Sequence, residues 1–356
     1  MNMYVGMMAA VLVLAYVMRG DKPENKDYIW LSCLLMFVLC GMRDVYNIGI
    51  DSASSYVSIF RGLGEMDWKD IPQGNNMGFT YLLKLCHTLT GGDYQRFYML
   101  YTAFFMVIFG RFVSKYSPNP VQSFCYFWGL LCYIFLFDGL KQGIAMGFIT
   151  LAFDAIVEKK PLRFTLLVSI AWWFHAPALV FAPAYLIAMM KPGRMYLLFL
   201  AALLAFTYKF QDQLLELMLE FYDTTIYDYE MRFLANKAII MLGIVAAALI
   251  LRPPEEEDRV YGILLQFMGI AIVIQTFASY NNTFERLANY YFQFCVVFIP
   301  LVFQADTRRS RLLDIKTEAM AKQLAPWAFC AFGVWRFANY IQANDWLWLP
   351  YRFFFE

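Results

Sequence analysis

Charged residues are scarce in this chain. Asp, Glu, Lys and Arg make up 16% of its 356 residues, whereas hydrophobic residues make up 61%. Soluble domains carry about 25% charged residues. The deficit excludes an ordinary soluble domain and predicts an all-α polytopic membrane protein. The net charge of +1 gives no reason to expect nucleic acid as a partner.

Metal ligands and paired cysteines are scarce as well. The chain has two histidines, His87 and His175, and its seven cysteines form no Cys-x-x-Cys pair. All of them except Cys86 lie in apolar runs, where a thiol usually packs as a small hydrophobic group. We therefore expect no metal site and no cofactor.

Long apolar runs take up most of the sequence. A membrane-spanning helix needs about 20 mostly apolar residues, and a shorter run can span where the bilayer thins or neighbours shelter it. We predict a bundle of about twelve spans in a single integral membrane domain, residues 1–356. The predicted spans are Met3–Met18, Tyr28–Met42, Phe97–Phe112, Gln122–Phe137, Gly143–Val157, Phe164–Trp173, Ala176–Met190, Met195–Tyr208, Ala238–Leu251, Tyr261–Ser279, Tyr290–Gln304 and Gln323–Arg336.

The distribution of basic residues predicts the orientation of these spans. Six short connections hold more than half of the 29 Lys and Arg residues, and such loops usually face the cytoplasm. Both termini then face outside. This orientation requires a break near Phe174–Pro177, which Pro177 favours because it disfavours helix at Ala176. One continuous helix from Phe164 to Met190 would reverse everything downstream.

Two long connections then lie outside the membrane. We expect residues 43–93 and 210–236 to form an extracytoplasmic cap. Within them, Ser52–Leu63 and Gln211–Glu220 place apolar residues at helical spacing among polar ones, which predicts interfacial helices.

The first outer connection begins with a cation. Arg43 directly follows a predicted span, and its guanidinium suits bidentate contact with a phosphate, although an interfacial anchor is an equal alternative. Asp51 is a candidate general base toward a sugar hydroxyl, or else a cap for the helix that Ser52 begins. Asp44 is a second candidate base.

Two further polar positions occur at the outer ends of predicted spans. Lys141 and Gln142 begin one span; Lys141 either binds an anionic lipid phosphate or pairs with Asp138. His175 lies at the predicted break, where it is either a structural histidine or part of a cavity, since broken helices at membrane depth usually line cavities.

The last candidates lie in the second half of the chain. We interpret 281–286 as a polar outer loop in which Arg286 meets a diphosphate unless Glu285 neutralises it. Tyr227, Tyr229 and Tyr290 are candidate sugar contacts, although an interfacial aromatic belt also accounts for tyrosines. Cations and an imidazole near the outer ends of several spans predict an anion-binding cavity open to the outside.

Several short phrases resemble the EpsG/Wzy-type polysaccharide polymerases. The resemblance covers Leu140-Lys141-Gln142-Gly143-Ile144-Ala145 followed by Phe174-His175, the stretch from Arg43 through Gly49-Ile50-Asp51 to Tyr56, Arg286 before Tyr290-Tyr291, and Leu349-Pro350-Tyr351-Arg352-Phe353. Three positions depart from the family pattern. Lys141 stands where arginine is usual, Ile50 replaces threonine, and Asn76 stands where the family often has glutamate.

The resemblance implies a GT-C-like helical bundle in a bacterial plasma (inner) membrane. Such an enzyme transfers a growing glycan from undecaprenyl diphosphate onto a lipid-linked repeat unit, outside the membrane, in the synthesis of exopolysaccharide, capsule or O-antigen. Its partners would be lipid-linked oligosaccharides, the bilayer, a flippase and a chain-length regulator. No metal is needed in principle, because cations such as Arg43, Lys141 and Arg286 can stabilise the leaving diphosphate.

Three other protein classes share parts of this pattern. A flippase for lipid-linked oligosaccharides also needs cations in a cavity, but exposes them alternately to both faces. A GT-C glycosyltransferase that uses a polyprenyl-phosphate sugar shares the bundle and differs in its donor. A structural assembly partner would tolerate the loss of both Lys141 and His175.

Overall fold

A computed structural model describes residues 3–48, 56–137, 139–222, 236–252, 258–279, 281–304, 310, 312–344 and 349–355. In these ranges the chain forms 17 α-helices and three short 3₁₀ helices, and no strand. The extended pairing described is an isolated antiparallel bridge between Arg43 and Phe353. The prediction of an all-helical protein is confirmed.

The chain divides into two compact units. Unit 1 comprises Met1–Gly147, Trp173–His175 and Trp327–Glu356; unit 2 comprises Phe148–Trp172 and Ala176–Pro326. The earlier helices are α1 Met3–Met18, α2 Lys26–Gly41, α3 Val57–Glu65, α4 Met77–Thr90, α5 Tyr94–Tyr116, α6 Pro120–Gly129, α7 Cys132–Phe135, α8 Leu140–Val157 and α9 Pro161–Phe174. The later helices are α10 Ala184–Ile187, α11 Arg194–Lys209, α12 Gln211–Tyr222, α13 Asn236–Leu251, α14 Arg259–Thr276, α15 Asn282–Phe292, α16 Cys295–Val302 and α17 Ile315–Ala343. The prediction of one membrane domain stays a prediction.

Close helix packing builds the interior of unit 1. A Cβ atom on Gly110 of α5 would lie 2.9 Å from the Trp30 ring on α2 and 3.0 Å from Cys33 Sγ. A Cβ on Gly129 of α6 would lie 2.3 Å from the Cα of Gly333 on α17. Glycine therefore lets both helix pairs approach more closely than any other residue would.

Unit 2 packs its aromatic side chains around α14. Phe267 of α14 contacts Phe153, Phe181 and Phe294, with ring centroids 5.3 to 6.1 Å apart. Arg259, at the first position of α14, donates from Nη2 to the carbonyl of Ile156, 3.0 Å away. These contacts join the end of α8, the 3₁₀ segment after α9 and α15–α16 to a single central helix.

Three helices in the described ranges are long and apolar enough to cross a membrane: α5, α8 and α14. Shorter apolar helices are Met3–Met18, Pro161–Phe174, Ala176–Ile187 and Lys237–Leu251. The remainder of the predicted twelve spans, and the GT-C-like arrangement, stay predictions.

Three predicted spans are not continuous helices, and Ala176–Met190 is one of them. The run Gln122–Phe137 breaks between α6 and α7 because Leu131 adopts a left-handed backbone, with φ 61°. The run Tyr290–Gln304 breaks at Gln293 and Phe294, between α15 and α16. Apolar composition alone gave no sign of either break.

The predicted break near Phe174–Pro177 is confirmed. Helix α9 ends at Phe174, His175 lies outside any helix, and a 3₁₀ helix runs from Ala176 to Phe181. Pro177 and Pro183 lack a backbone N–H, which accounts for the short, interrupted helices that follow. The expected second span, Ala176–Met190, is thus a 3₁₀ turn and one short helix.

The two long connections contain amphipathic helices, as predicted. The first holds α3, the 3₁₀ turn Trp68–Asp70 and α4, and the second holds α12. On α3, Val57, Phe60 and Leu63 are buried at helical spacing. Their position at a membrane surface stays a prediction.

Candidate functional site

Trp173, at the end of α9, packs against the first turn of α4. Asn76 precedes α4 in a left-handed conformation with φ 64°, which asparagine tolerates better than most residues. A Cβ atom on Gly78 would lie 2.8 Å from the Trp173 ring and 2.9 Å from the Trp173 carbonyl oxygen. Only glycine permits this approach. Gly78 therefore determines the position of Trp173, two residues before His175.

Lys141 reaches the same turn from α8. Its Nζ lies 5.8 Å from the centroid of the Phe79 ring, directly after Gly78. Both contacts belong to unit 1. We call this group, Gly78, Phe79, Lys141, Trp173 and His175, the α4 corner. Lys141 contacts this turn directly, and His175 follows two residues after Trp173, which also contacts it.

Burial differs within the candidate residues of unit 1. Lys141 is half-buried, whereas Gln142 and His175 are 3% and 6% exposed. The predicted roles of Lys141, Gln142 and His175 toward a substrate stay predictions.

Two tyrosines of α5 hold the chain just before Lys141. Tyr98 donates its hydroxyl to the carbonyl of Phe137, 3.1 Å away, and Tyr101 donates to the carbonyl of Leu136, also 3.1 Å away. A Cβ atom on Gly143 would lie 2.2 Å from the Tyr101 hydroxyl oxygen. Glycine at that position therefore lets α8 start against the hydroxyl.

Arg43 takes part in the same support. Its side chain is fully buried, between the Tyr98 and Phe137 rings at 4.8 and 4.6 Å from their centroids. Nη2 donates to the Tyr98 hydroxyl at 2.9 Å and to the Phe137 carbonyl, and the backbone pairs with Phe353. The structure thus places Arg43 inside unit 1, and its contact with a diphosphate stays a prediction.

In unit 2, the segment predicted as an outer loop is helical. Asn281 caps α15 by accepting the Thr283 N–H at 2.8 Å, so Arg286 lies on a helix rather than in a loop. The loop prediction was wrong because an Asn-Asn-Thr phrase serves equally as a helix start. Arg286 is exposed on α15.

Glu285 has a different cation beside it. Lys237, at the start of α13, donates to the Glu285 carboxylate at 3.2 Å and also to Asn289. Lys237 Nζ further lies 4.4 Å from the centroid of the Phe292 ring. Glu285, which we considered as a partner for Arg286, therefore pairs with Lys237. Tyr290 is fully buried, and its predicted contact with sugar stays a prediction.

Some candidates cannot be placed. Asp51, Tyr227 and Tyr229 lie outside the described residues, and so does Asp138, the predicted partner of Lys141. Asp44 is described: its carboxylate accepts the Tyr46 N–H at 3.0 Å and the Asn47 side-chain amide at 2.6 Å, which closes a turn.

Comparison with protein-family models places these residues in a family. A model described as the EpsG family matches residues 28–353, which includes all of unit 2 and most of unit 1. The chain belongs to the EpsG family. It is therefore a membrane protein of the polysaccharide polymerase type. Neither the curated proteins nor the solved structures gave a match.

Some residues that shape this EpsG family member's site escaped sequence reasoning. Tyr98 and Tyr101 stand three residues apart on one apolar helix, a spacing that puts both hydroxyls on one face. Gly78 looks like one small residue among many. Lys237 opens an apolar helix and reads as an interfacial anchor. A polar group at helical spacing within an apolar run was the available signal for the tyrosines.

Proposed function

We propose that this EpsG family member is a polymerase for lipid-linked glycans. It transfers a growing chain from undecaprenyl diphosphate to a lipid-linked repeat unit, outside the cytoplasm of a bacterial cell. The observation that carries the proposal is the α4 corner, where a cation and a histidine-bearing helix break meet at one turn. Family membership supplies the reaction class.

The reaction requires one bond exchange. A hydroxyl oxygen of the acceptor sugar attacks the anomeric carbon of the donor glycan, and the bond from that carbon to the diphosphate oxygen breaks. The lipid diphosphate leaves with the electron pair. A base must accept the hydroxyl proton, and Asp51 is our candidate, with Asp44 and Glu285 as alternatives.

The cations stabilise charge on the departing diphosphate. We assign Lys141 in unit 1 and Arg286 in unit 2 as phosphate contacts, each for a lipid-linked substrate. Arg286 is exposed and Lys141 is half-buried, so both side chains are at least partly accessible. Gln142 and His175 are proposed either to orient neighbouring side chains or to donate a hydrogen bond to a phosphate oxygen. Arg43 acts on the start of α8, which carries Lys141.

The direct test is glycan transfer by purified full-length protein. Protein in detergent is given lipid-linked repeat units and no nucleotide sugar, and the products are separated by size. We expect a ladder of longer glycans and one free lipid diphosphate per new bond. Lys141→Ala should abolish the ladder, whereas Lys160→Ala, at an exposed lysine paired with Glu158, should leave it intact.

The same assay separates the competing classes. A flippase moves its substrate between leaflets and forms no glycosidic bond, so unchanged glycans in detergent would refute polymerase activity. A glycosyltransferase that uses polyprenyl monophosphate would extend chains only from the monophosphate donor. Extension from the monophosphate donor alone would refute undecaprenyl diphosphate as the donor carrier.

A further inference from the structure

Three aromatic rings line up in unit 1 beside the α4 corner. Trp68 and Tyr81 have centroids 6.4 Å apart and planes only 10° apart. Tyr81 and Trp173 have centroids 6.4 Å apart and planes 31° apart. We call Trp68, Tyr81 and Trp173 the aromatic platform. It draws on three separate segments: the 3₁₀ turn after α3, helix α4 and the end of α9.

The platform is accessible on its surface. Trp68 and Trp173 are 48% and 47% exposed, and Tyr81 is half-buried between them. Other tryptophans are exposed to a similar degree, namely Trp30, Trp172, Trp327 and Trp335. The alignment of Trp68 and Trp173 through Tyr81 is therefore what distinguishes these two tryptophans.

The backbone beneath the platform is held in place. Lys84 is 7% exposed and donates to the carbonyls of Gly64 and Met66, at 3.2 and 2.6 Å, so it fixes the segment that leads to Trp68. Gly78 fixes Trp173 by close contact, one helical turn before Tyr81. Rings that are held before a ligand arrives lose little conformational freedom when they bind it.

Polar groups surround the rings. Asp67, Lys69 and Asp70 are exposed on the turn that carries Trp68, and Gln73 donates its amide to the Tyr81 hydroxyl at 3.5 Å. A ligand that fits has an apolar face for the rings and hydroxyl groups for these edges. A hexopyranose has both, because its C–H bonds form a face and its hydroxyls lie around the rim.

We propose that the aromatic platform binds successive hexopyranose units of the glycan. This rests on the proposed function, since a lipid-linked glycan is the substrate there. Trp173 lies two residues before His175, so a glycan on the platform leads to the α4 corner. Carboxylates beside Trp68 disfavour the other use of exposed tryptophans, which is anchoring in a lipid interface.

Binding of glycan fragments to full-length protein in lipid nanodiscs tests the proposal without requiring transfer. The probe is a size-graded set of oligosaccharides, cut by partial hydrolysis from the polymer of the cells that make the protein. We expect Trp68→Ala to weaken binding by about tenfold or more, because it removes one of the ring faces that the sugars would cover. Trp68→Tyr should keep most of the affinity.

The matched control is Trp335→Ala, at an exposed tryptophan of unit 1 outside the platform. It should bind like wild type. Equal binding by Trp68→Ala and wild type would overturn the proposal, and so would the absence of fragment binding by wild type. Quenching of Trp68 and Trp173 emission by brominated lipids, with no protection by fragments, would assign the rings to a lipid interface instead.

The outcomes for the two proposals are separable. Fragments that bind through Trp68, in protein that forms no polymer, would keep the platform and refute the polymerase. A polymer ladder from wild type, together with equal fragment affinity for wild type and Trp68→Ala, would keep the polymerase and refute the platform.

Discussion

Arg43 and Arg286 look alike in the sequence and lie in opposite environments. Arg43 directly precedes Asp44 and Arg286 directly follows Glu285, and both arginines lie near the end of an apolar run. Each was predicted to bind a diphosphate. Arg43 is fully buried between two rings, whereas Arg286 is exposed on α15 beside a Lys237–Glu285 pair. Burial of a permanent charge requires partners from the protein, so the two arginines should fail in different ways when mutated.

The largest expected effect is on activity, at Arg286. Arg286→Ala should lower polymer formation by about 100-fold or more, since it removes a cation that stabilises a leaving anion. The melting temperature should stay unchanged because the side chain is exposed. Polymer length and yield in cells, with protein level measured by immunoblot, check this. Arg163→Ala, at another exposed arginine of unit 2, is the control.

Normal polymer in Arg286→Ala cells would remove Arg286 from the mechanism. A fall in protein level that matches the fall in polymer would make Arg286 a structural residue like Arg43 and end the contrast between them.

Arg43→Lys should instead destabilise the protein. Lysine has no planar guanidinium to lie between the Tyr98 and Phe137 rings, so the cost should be about 1–3 kcal/mol. Thermal unfolding of purified protein measures it. Tyr98→Phe loses the hydroxyl that accepts from Arg43 and donates to the Phe137 carbonyl. It should also destabilise the protein, but by less than Arg43→Lys. A stable but inactive Arg43→Lys protein would restore Arg43 as a substrate contact.

Gly78→Ala should lower stability by about 1–3 kcal/mol, because its Cβ would press on the Trp173 ring and carbonyl. Transfer activity should fall as well, since the displaced segment carries His175. Gly62→Ala on α3 is a matched control, because nothing lies within 4 Å of its Cβ. Equal unfolding temperatures for the two variants would refute the close contact of α4 and α9.

The smallest effect should come from Lys237→Ala. The Lys237–Glu285 pair is partly exposed, so its loss should cost less than about 1 kcal/mol. Its informative result is on activity: Glu285 without Lys237 becomes available to Arg286. A modest drop in transfer, which Lys237→Arg restores, is the expected outcome. A stability loss as large as that of Arg43→Lys would place the pair in the core of unit 2.

The sequence was sufficient for the all-helical class, the break before Pro177 and the family resemblance. Each depends on local patterns: apolar runs, proline chemistry and short phrases. It was insufficient for the breaks at Leu131 and Gln293, because both occur inside runs that are apolar overall. Tertiary packing decides such positions, and hydrophobic composition does not encode it.

Site residues were predictable by type rather than by environment. Lys141 and His175 could be chosen as candidates because charge and imidazole are costly at membrane depth. The packing of Trp173 on α4 depends on Gly78, and the start of α8 depends on two tyrosine hydroxyls 35 or more residues away from the carbonyls they bind. The burial of Arg43 likewise depends on Tyr98 and Phe137, which nothing near position 43 in the sequence announces.

Lys141 is proposed to stabilise a lipid diphosphate leaving group during glycan transfer. The most direct measurement is the rate of lipid diphosphate release by purified protein with lipid-linked repeat units, for wild type, Lys141→Ala and Lys141→Arg. Lipid diphosphate should be released in step with glycosidic bond formation; both should be lost in Lys141→Ala and recovered in Lys141→Arg. Equal release rates for wild type and Lys141→Ala would contradict it.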